Sequence, residues 1–176
     1  ADSGNKGTGS WEETVAPGIT AGLDPSTMPH ALVNNRNGTF SFRPLSQSAD
    51  PENYWIDRQA GDLNSNPDPT FVGKGIKDIF FYRNRLGFIA GENVILSQPA
   101  DYFNFFIVSA ITTSDADPID IAASDIKPAF LNHVLPIQKG LVLFSESAQF
   151  MLFTDSDRFS ANTAQLKKLS SYECSP

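Results

Sequence analysis

Phe80-Phe81-Tyr82-Arg83-Asn84-Arg85-Leu86-Gly87-Phe88-Ile89-Ala90-Gly91-Glu92-Asn93-Val94-Ile95-Leu96-Ser97 is the stretch whose reading decides the fold. An aromatic and aliphatic run stops at Arg83-Asn84-Arg85, and apolar residues resume at Leu86, Phe88 and Ile89. A third run, Val94-Ile95-Leu96, follows Gly91-Glu92-Asn93 and closes on Ser97. Short runs rich in Phe, Val and Ile, separated by turn residues, predict an antiparallel meander with a glycine-containing turn. Strands over Ile76–Tyr82, Leu86–Ala90 and Val94–Ser97 are expected. Alternate residues of a strand share a face. Ile79, Phe81 and Phe88 are therefore expected to meet Val94 or Leu96, and truncation of Phe81 is expected to destabilise the protein.

Outward from this stretch, the chain reads as mainly β. Ala31–Val33 and Thr39–Arg43 form a hairpin across Asn34-Asn35-Arg36-Asn37-Gly38, in which Phe40 and Phe42 face the same way. Leu141–Phe144 and Gln149–Phe153 form another across Ser145-Glu146-Ser147-Ala148. Leu-Val-Leu-Phe is apolar at every position, as in a strand buried on both faces. The two meanders begin about 60 residues apart, a spacing that suits successive blades of a β-propeller. Asp120–Ser124 and Ala129–Pro136 are ambiguous, Trp11–Val15 is a short strand or strand end, and Gln98–Phe105 is read as one helical turn returning aromatics to the sheet. Residues 1–10 are a Gly/Ser-rich lead-in. Residues 11–70 are a loop-rich β subregion with one apolar island, Tyr54-Trp55-Ile56, expected to dock or to form a short strand. Residues 71–176 are the strand-dense region, with a boundary near residue 70.

Composition narrows the function classes. The 176 residues are 40% hydrophobic and include 14 Phe, 12 Gly and 12 Pro, which favours short strands and tight turns around a real core. No apolar run approaches the roughly 18 residues of a membrane helix. The first ten residues lack the apolar core of a secretory signal. Since the chain opens on Ala1, it is expected to be a fragment of a longer protein. With 13 basic against 20 acidic residues the net charge is −7, which opposes general affinity for nucleic acid.

Candidate chemistry is sparse. Asp115, Asp117 and Asp120 are the tightest carboxylate cluster, but the glycine and distal glutamate of a calcium loop are missing, so a turn with capping carboxylates is favoured. His30 and His133 lack metal-ligand spacing, and His30 is expected to bond a backbone carbonyl. Cys174 has no partner cysteine and is read as structural or incidental. Gly73-Lys74-Gly75 is not a phosphate loop, and no Gly-x-Ser-x-Gly elbow occurs. Lys74, Lys77, Arg83 and Arg85 form the one mildly basic zone, suited to DNA or to carboxylates of a neighbouring blade or subunit. Tyr102, Phe103, Phe105 and Phe106 suit stacking on sugars or bases, or a core. No catalytic, cofactor-binding or metal-ligating residue is assigned.

The opening stretch also resembles the central motif of the tail tubular protein B family, the nozzle proteins of short-tailed phages. Trp11-Glu12-Glu13-Thr14-Val15-Ala16-Pro17-Gly18 and Leu23-Asp24-Pro25-Ser26-Thr27-Met28-Pro29-His30-Ala31-Leu32-Val33 are similar to family segments. In family order follow Arg58, Gly61-Asp62, Asn66–Gly73, Tyr102–Phe106, Asp117–Asp120, Gly140–Ser145 and Gln149-Phe150. The resemblance implies a virion structural protein, not an enzyme and without cofactors. It implies a homohexameric tube below an adaptor ring, contacts with tail fibres, and passage of genomic DNA without specific binding. The alternative from another class is a carbohydrate-active or polysaccharide-binding tail module. That would need two of Asp115, Asp117, Asp120 and Asp125 facing each other across a cleft, about 5 to 9.5 Å apart. A pure fibre-binding module is a third reading.

Overall fold

A computed structural model describes residues 9–173. Most of the lead-in, and Cys174, lie outside the described residues. Ten strands and no helix are present among them. β1 (Ala31–Asn34) and β2 (Phe40–Arg43) form an isolated hairpin. β3 (Ile76–Tyr82), β4 (Arg85–Ala90), β5 (Asn93–Leu96) and β6 (Ile119–Ala122) make an antiparallel sheet in chain order. β7 (Leu131–Ile137), β8 (Gly140–Ser145), β9 (Gln149–Phe153) and β10 (Gln165–Ser170) make a second, also in chain order. The mainly β expectation holds. The two ambiguous segments became β6 and β7, whereas the Trp11–Val15 strand reduces to a single bridge between Val15 and Gly61.

The turns of the first sheet carry its register. β3 and β4 are joined by Arg83-Asn84 alone, both left-handed at φ 46° and 60°. Such a two-residue connection matches the twist of paired strands, and Asn tolerates the conformation. The expected glycine turn lies one hairpin later, where Gly91 at φ 62° opens the link from β4 to β5.

Register decides which side chains are buried, and it corrects the expectation for Phe81. Phe80 lies opposite Gly87, which lies opposite Leu96, which lies opposite Ile119. Phe81 falls on the other face, at the outer strand, and is 62% exposed; Ile79 is 53% exposed. Phe88 pairs with Ile95, not with Val94 or Leu96. Gly87 has a packing reason: a Cβ there would collide with the Phe80 ring. The run Phe80-Phe81-Tyr82 is aromatic on both faces, so alternation alone did not say which face was covered.

Both faces of the first sheet are covered. Phe80, Tyr82, Ile89, Val94, Leu96 and Ile119 pack against Leu131, Leu141, Leu143, Phe150 and Leu152 of the second sheet. On the opposite face, Leu86, Phe88, Ala90 and Ile95 pack with Met28, Leu45, Trp55, Phe71 and Phe105. Trp55 docks through backbone bonds from its own nitrogen to Leu45 and from Ile56 to Phe103, so the Tyr54–Ile56 island docks as expected. The Gln98–Phe105 segment is a set of turns rather than a helical one, yet it does return aromatics: Phe105 stacks on Phe88 at 5.2 Å.

Candidate functional site

The carboxylates of residues 115–125 diverge instead of converging. Asp117 is buried and accepts the Ser114 backbone N–H at 2.7 Å, closing its own turn. Asp120 points to the other side of the strand end, where it accepts Thr70 N–H and hydroxyl at 2.9 and 2.8 Å and the Asn93 amide at 2.9 Å. Asp115 lies 3.6 Å from the exposed Arg158. Asp125 holds Lys168 at 2.6 Å, and bonds from Lys168 and the Ile126 N–H keep its carboxyl below the usual range. Asp117, Asp120 and Asp125 thus carry capping or tethering bonds, and Asp115 an exposed ion pair. No group of three or more potential metal ligands comes together among the described residues. Three clefts of about 670, 530 and 220 Å³ indent the surface, and Asp125 alone of the four lines any of these three.

The basic zone divides in the same way. Arg85 is 2% exposed and donates to three backbone carbonyls: Ser97 at 2.7 Å, Asp117 at 2.8 Å and Asp115 at 3.0 Å. Burial pushes its guanidinium down from the usual range, and the Asp117 charge opposes that. A planar fork suits this cage of diverging acceptors, where an ammonium would not reach all three. Arg85 is therefore spent on holding the 115–117 loop against β5 and cannot reach a nucleic acid. Arg83 lies over the rings of Tyr82 and Phe159, 5.6 and 5.7 Å from their centroids, and so links the β3–β4 turn to the β9–β10 connection. Only Lys74 and Lys77 of the zone remain on an open cleft, together with Glu92 and Phe130.

The aromatic run is core. Phe105 and Phe106 are buried, and Tyr102 and Phe103 are half-buried against the same cluster. His30 bonds the Met28 carbonyl at 2.9 Å, as expected, and also stacks on Phe42 at 5.2 Å. His133 lies 3.9 Å from Asp78, which also accepts the Val134 and Ile79 backbone N–H groups at 3.1 and 2.9 Å.

Arg58 has a role that its sequence neighbourhood did not signal. Its side chain is fully buried and donates to Asn66 and Thr20 carbonyls at 2.6 and 2.7 Å and to Asp68 at 2.7 Å, over the Phe106 ring. Asn66 in turn bonds Ala60 and both polar backbone groups of Ile107. The loop-rich segment is thereby pinned to the segment after β5. An arginine among Asp, Asn and Pro reads as a solvated loop residue until the fold closes around it.

Two apolar faces stay open. On the hairpin, Leu32, Phe40 and Phe42 share one exposed side. On the second sheet, the side away from the core carries Leu135, Ile137, Val142, Phe144, Met151 and Phe153, half-buried or exposed. Exposed apolar surface of this kind marks places where a protein meets another molecule. What the described residues offer is a braced framework with open apolar faces.

Comparison with known proteins agrees with that character. The chain matches the family model for bacteriophage nozzle proteins over residues 2–176. It is 40% identical over 163 residues, 93% of its length, to the tail tubular protein gp12 of Escherichia phage T7. The match spans 19% of that relative's length. With a family model covering nearly every residue, this chain belongs to the bacteriophage nozzle protein family.

Proposed function

We propose that this chain forms part of the wall of a phage tail nozzle, a structural and non-enzymatic element of the tube through which genomic DNA leaves the virion. The observation that carries the reading is the family match across nearly the whole chain. The chemistry of the molecule supports it. Arg85, Arg58, Asp117 and Asp120, which alone would suggest a site, are each bonded into the framework. The two consecutive four-stranded meanders suit blades of a propeller-like assembly, with residues 11–70 as the cover of one sheet face. The open apolar faces suit neighbours in an oligomer, which we take to be six copies in a ring that joins an adaptor above and fibres at its side.

Charge supports a conduit. Six copies at −7 would bring about −42, and a net acidic wall repels the phosphate backbone instead of retaining it. Electron microscopy of the assembled nozzle tests the class: a six-fold ring with a central hole, and this segment in its wall, is expected. A monomeric particle, or a strongly basic lumen, overturns the reading. In the same preparation duplex DNA should not be retained at low salt.

A further inference from the structure

The turn between β1 and β2 carries chemistry that a role in a tube wall does not use. Asn37-Gly38 is the only Asn-Gly pair in the sequence; every other asparagine precedes a residue with a side chain. Asn37 is exposed, and apart from Asn37, Gly38 and Thr39 themselves nothing lies within 4 Å of the place a Cβ on Gly38 would take. Gly38 is exposed as well, so the peptide between the two residues lies at the surface. The Asn37 Oδ1 accepts two hydrogen bonds from Thr39, from its N–H at 3.0 Å and its hydroxyl at 2.6 Å. The ring closed by the N–H bond contains both Asn37 Cγ and the Gly38 nitrogen, so the side chain is turned toward the peptide that follows it.

We infer that Asn37 is a site of spontaneous deamidation on the folded protein, and that the turn promotes the reaction. The Gly38 nitrogen gives its proton to solvent base and forms a bond to Asn37 Cγ. Oδ1 takes up the negative charge, where the two Thr39 donors already point. The intermediate collapses, Nδ2 takes a proton and leaves as ammonia, and a succinimide remains. Water then opens either carbonyl, leaving an aspartyl or isoaspartyl residue at position 37. Water enters, ammonia leaves, nothing is oxidised or reduced, and the mass rises by about one dalton with one added negative charge. The isoaspartyl product places an extra methylene in the main chain. The Asn35 N–H bond to the Thr39 carbonyl, 3.1 Å, and the Asn34–Phe40 pairing depend on that spacing. The hairpin that presents Leu32, Phe40 and Phe42 would loosen with age.

The test is mass spectrometry with peptide mapping of the folded protein during incubation in mildly alkaline buffer. The first mass increase is expected at Asn37. An increase appearing first at another asparagine overturns the inference, and so does none before the urea-unfolded chain is fully converted. Thr39→Val keeps the backbone donor and removes the hydroxyl. It should slow conversion roughly threefold to tenfold, less than the roughly hundredfold an oxyanion donor supplies in a dry active site, because this turn is wetted. An unchanged or faster rate in Thr39→Val overturns the role of the turn.

Discussion

At the residue scale, neighbours in sequence have opposite fates. Phe80 is 7% exposed in the core shared by the two sheets, whereas Phe81 is 62% exposed and makes an edge-to-face contact with Tyr102, ring centroids 5.4 Å apart. Removing a buried phenylalanine forfeits its transfer energy and leaves a cavity, together about 3–5 kcal/mol. Phe80→Ala is therefore expected to lower the urea midpoint and melting temperature sharply. Phe81→Ala loses one ring contact, of about 1 kcal/mol, and should fold nearly as the parent does. Equal losses in the two variants would show that the register placing Phe80 opposite Gly87 is wrong.

At the scale of the element, the loops hold their shape by carboxylates that bond backbone ahead of them. Asp62 is the clearest instance. The Ser65 N–H and hydroxyl and the Asn64 N–H hold its carboxyl below the ordinary value of 3.8. Asp24, bonded to Ser26, and Asp125, bonded to Lys168, shift the same way. A carboxylate depressed in the folded state contributes stability above its unfolded pKa and loses it as pH falls through the folded one. The urea midpoint should hold toward neutrality and decline below about pH 4. Asp62→Asn should lie below the parent near neutrality, and the two curves should converge in acid. A gap of constant size from neutral to acid pH would show that the charge on Asp62 contributes nothing.

At the scale of the whole molecule, the two four-stranded sheets share one hydrophobic cluster and are further tied by the β6–β7 connection. Ala123 and Leu131 donate to the Glu92 and Gly91 carbonyls, both at 2.8 Å, and the Ala129 N–H reaches the Glu92 carboxylate at 2.9 Å. Elements that share a core unfold together. Leu143→Ala, in the second sheet, should cost about 2–5 kcal/mol and lower hydrogen-exchange protection in β3–β6 as much as in β7–β10. Protection lost in β7–β10 alone, or two separate unfolding transitions, would show the sheets to be independent.

The sequence by itself determined seven of the ten strands among the described residues. Apolar runs of strand length bounded by Asn-Gly, Gly-Glu and Pro are local signals, and β1 to β5, β8 and β9 could be read from them. The family was legible for a related reason, since its motifs stand in order along the chain and need no tertiary contact to be read. β10 was missed because Gln165-Leu166-Lys167-Lys168-Leu169-Ser170 is a polar edge strand, held by pairing with β9 rather than by an apolar pattern. The tertiary structure alone decided which face of Phe80-Phe81-Tyr82 is covered. It alone made Arg85 and Arg58 internal braces and scattered Asp115, Asp117, Asp120 and Asp125 to separate partners. Those outcomes depend on contacts between residues distant in sequence: Arg85 with Asp117, Thr70 with Asp120, Thr20 with Arg58. A side chain's local sequence states what it can bond; only closure of the chain around it supplies the acceptor and removes the water.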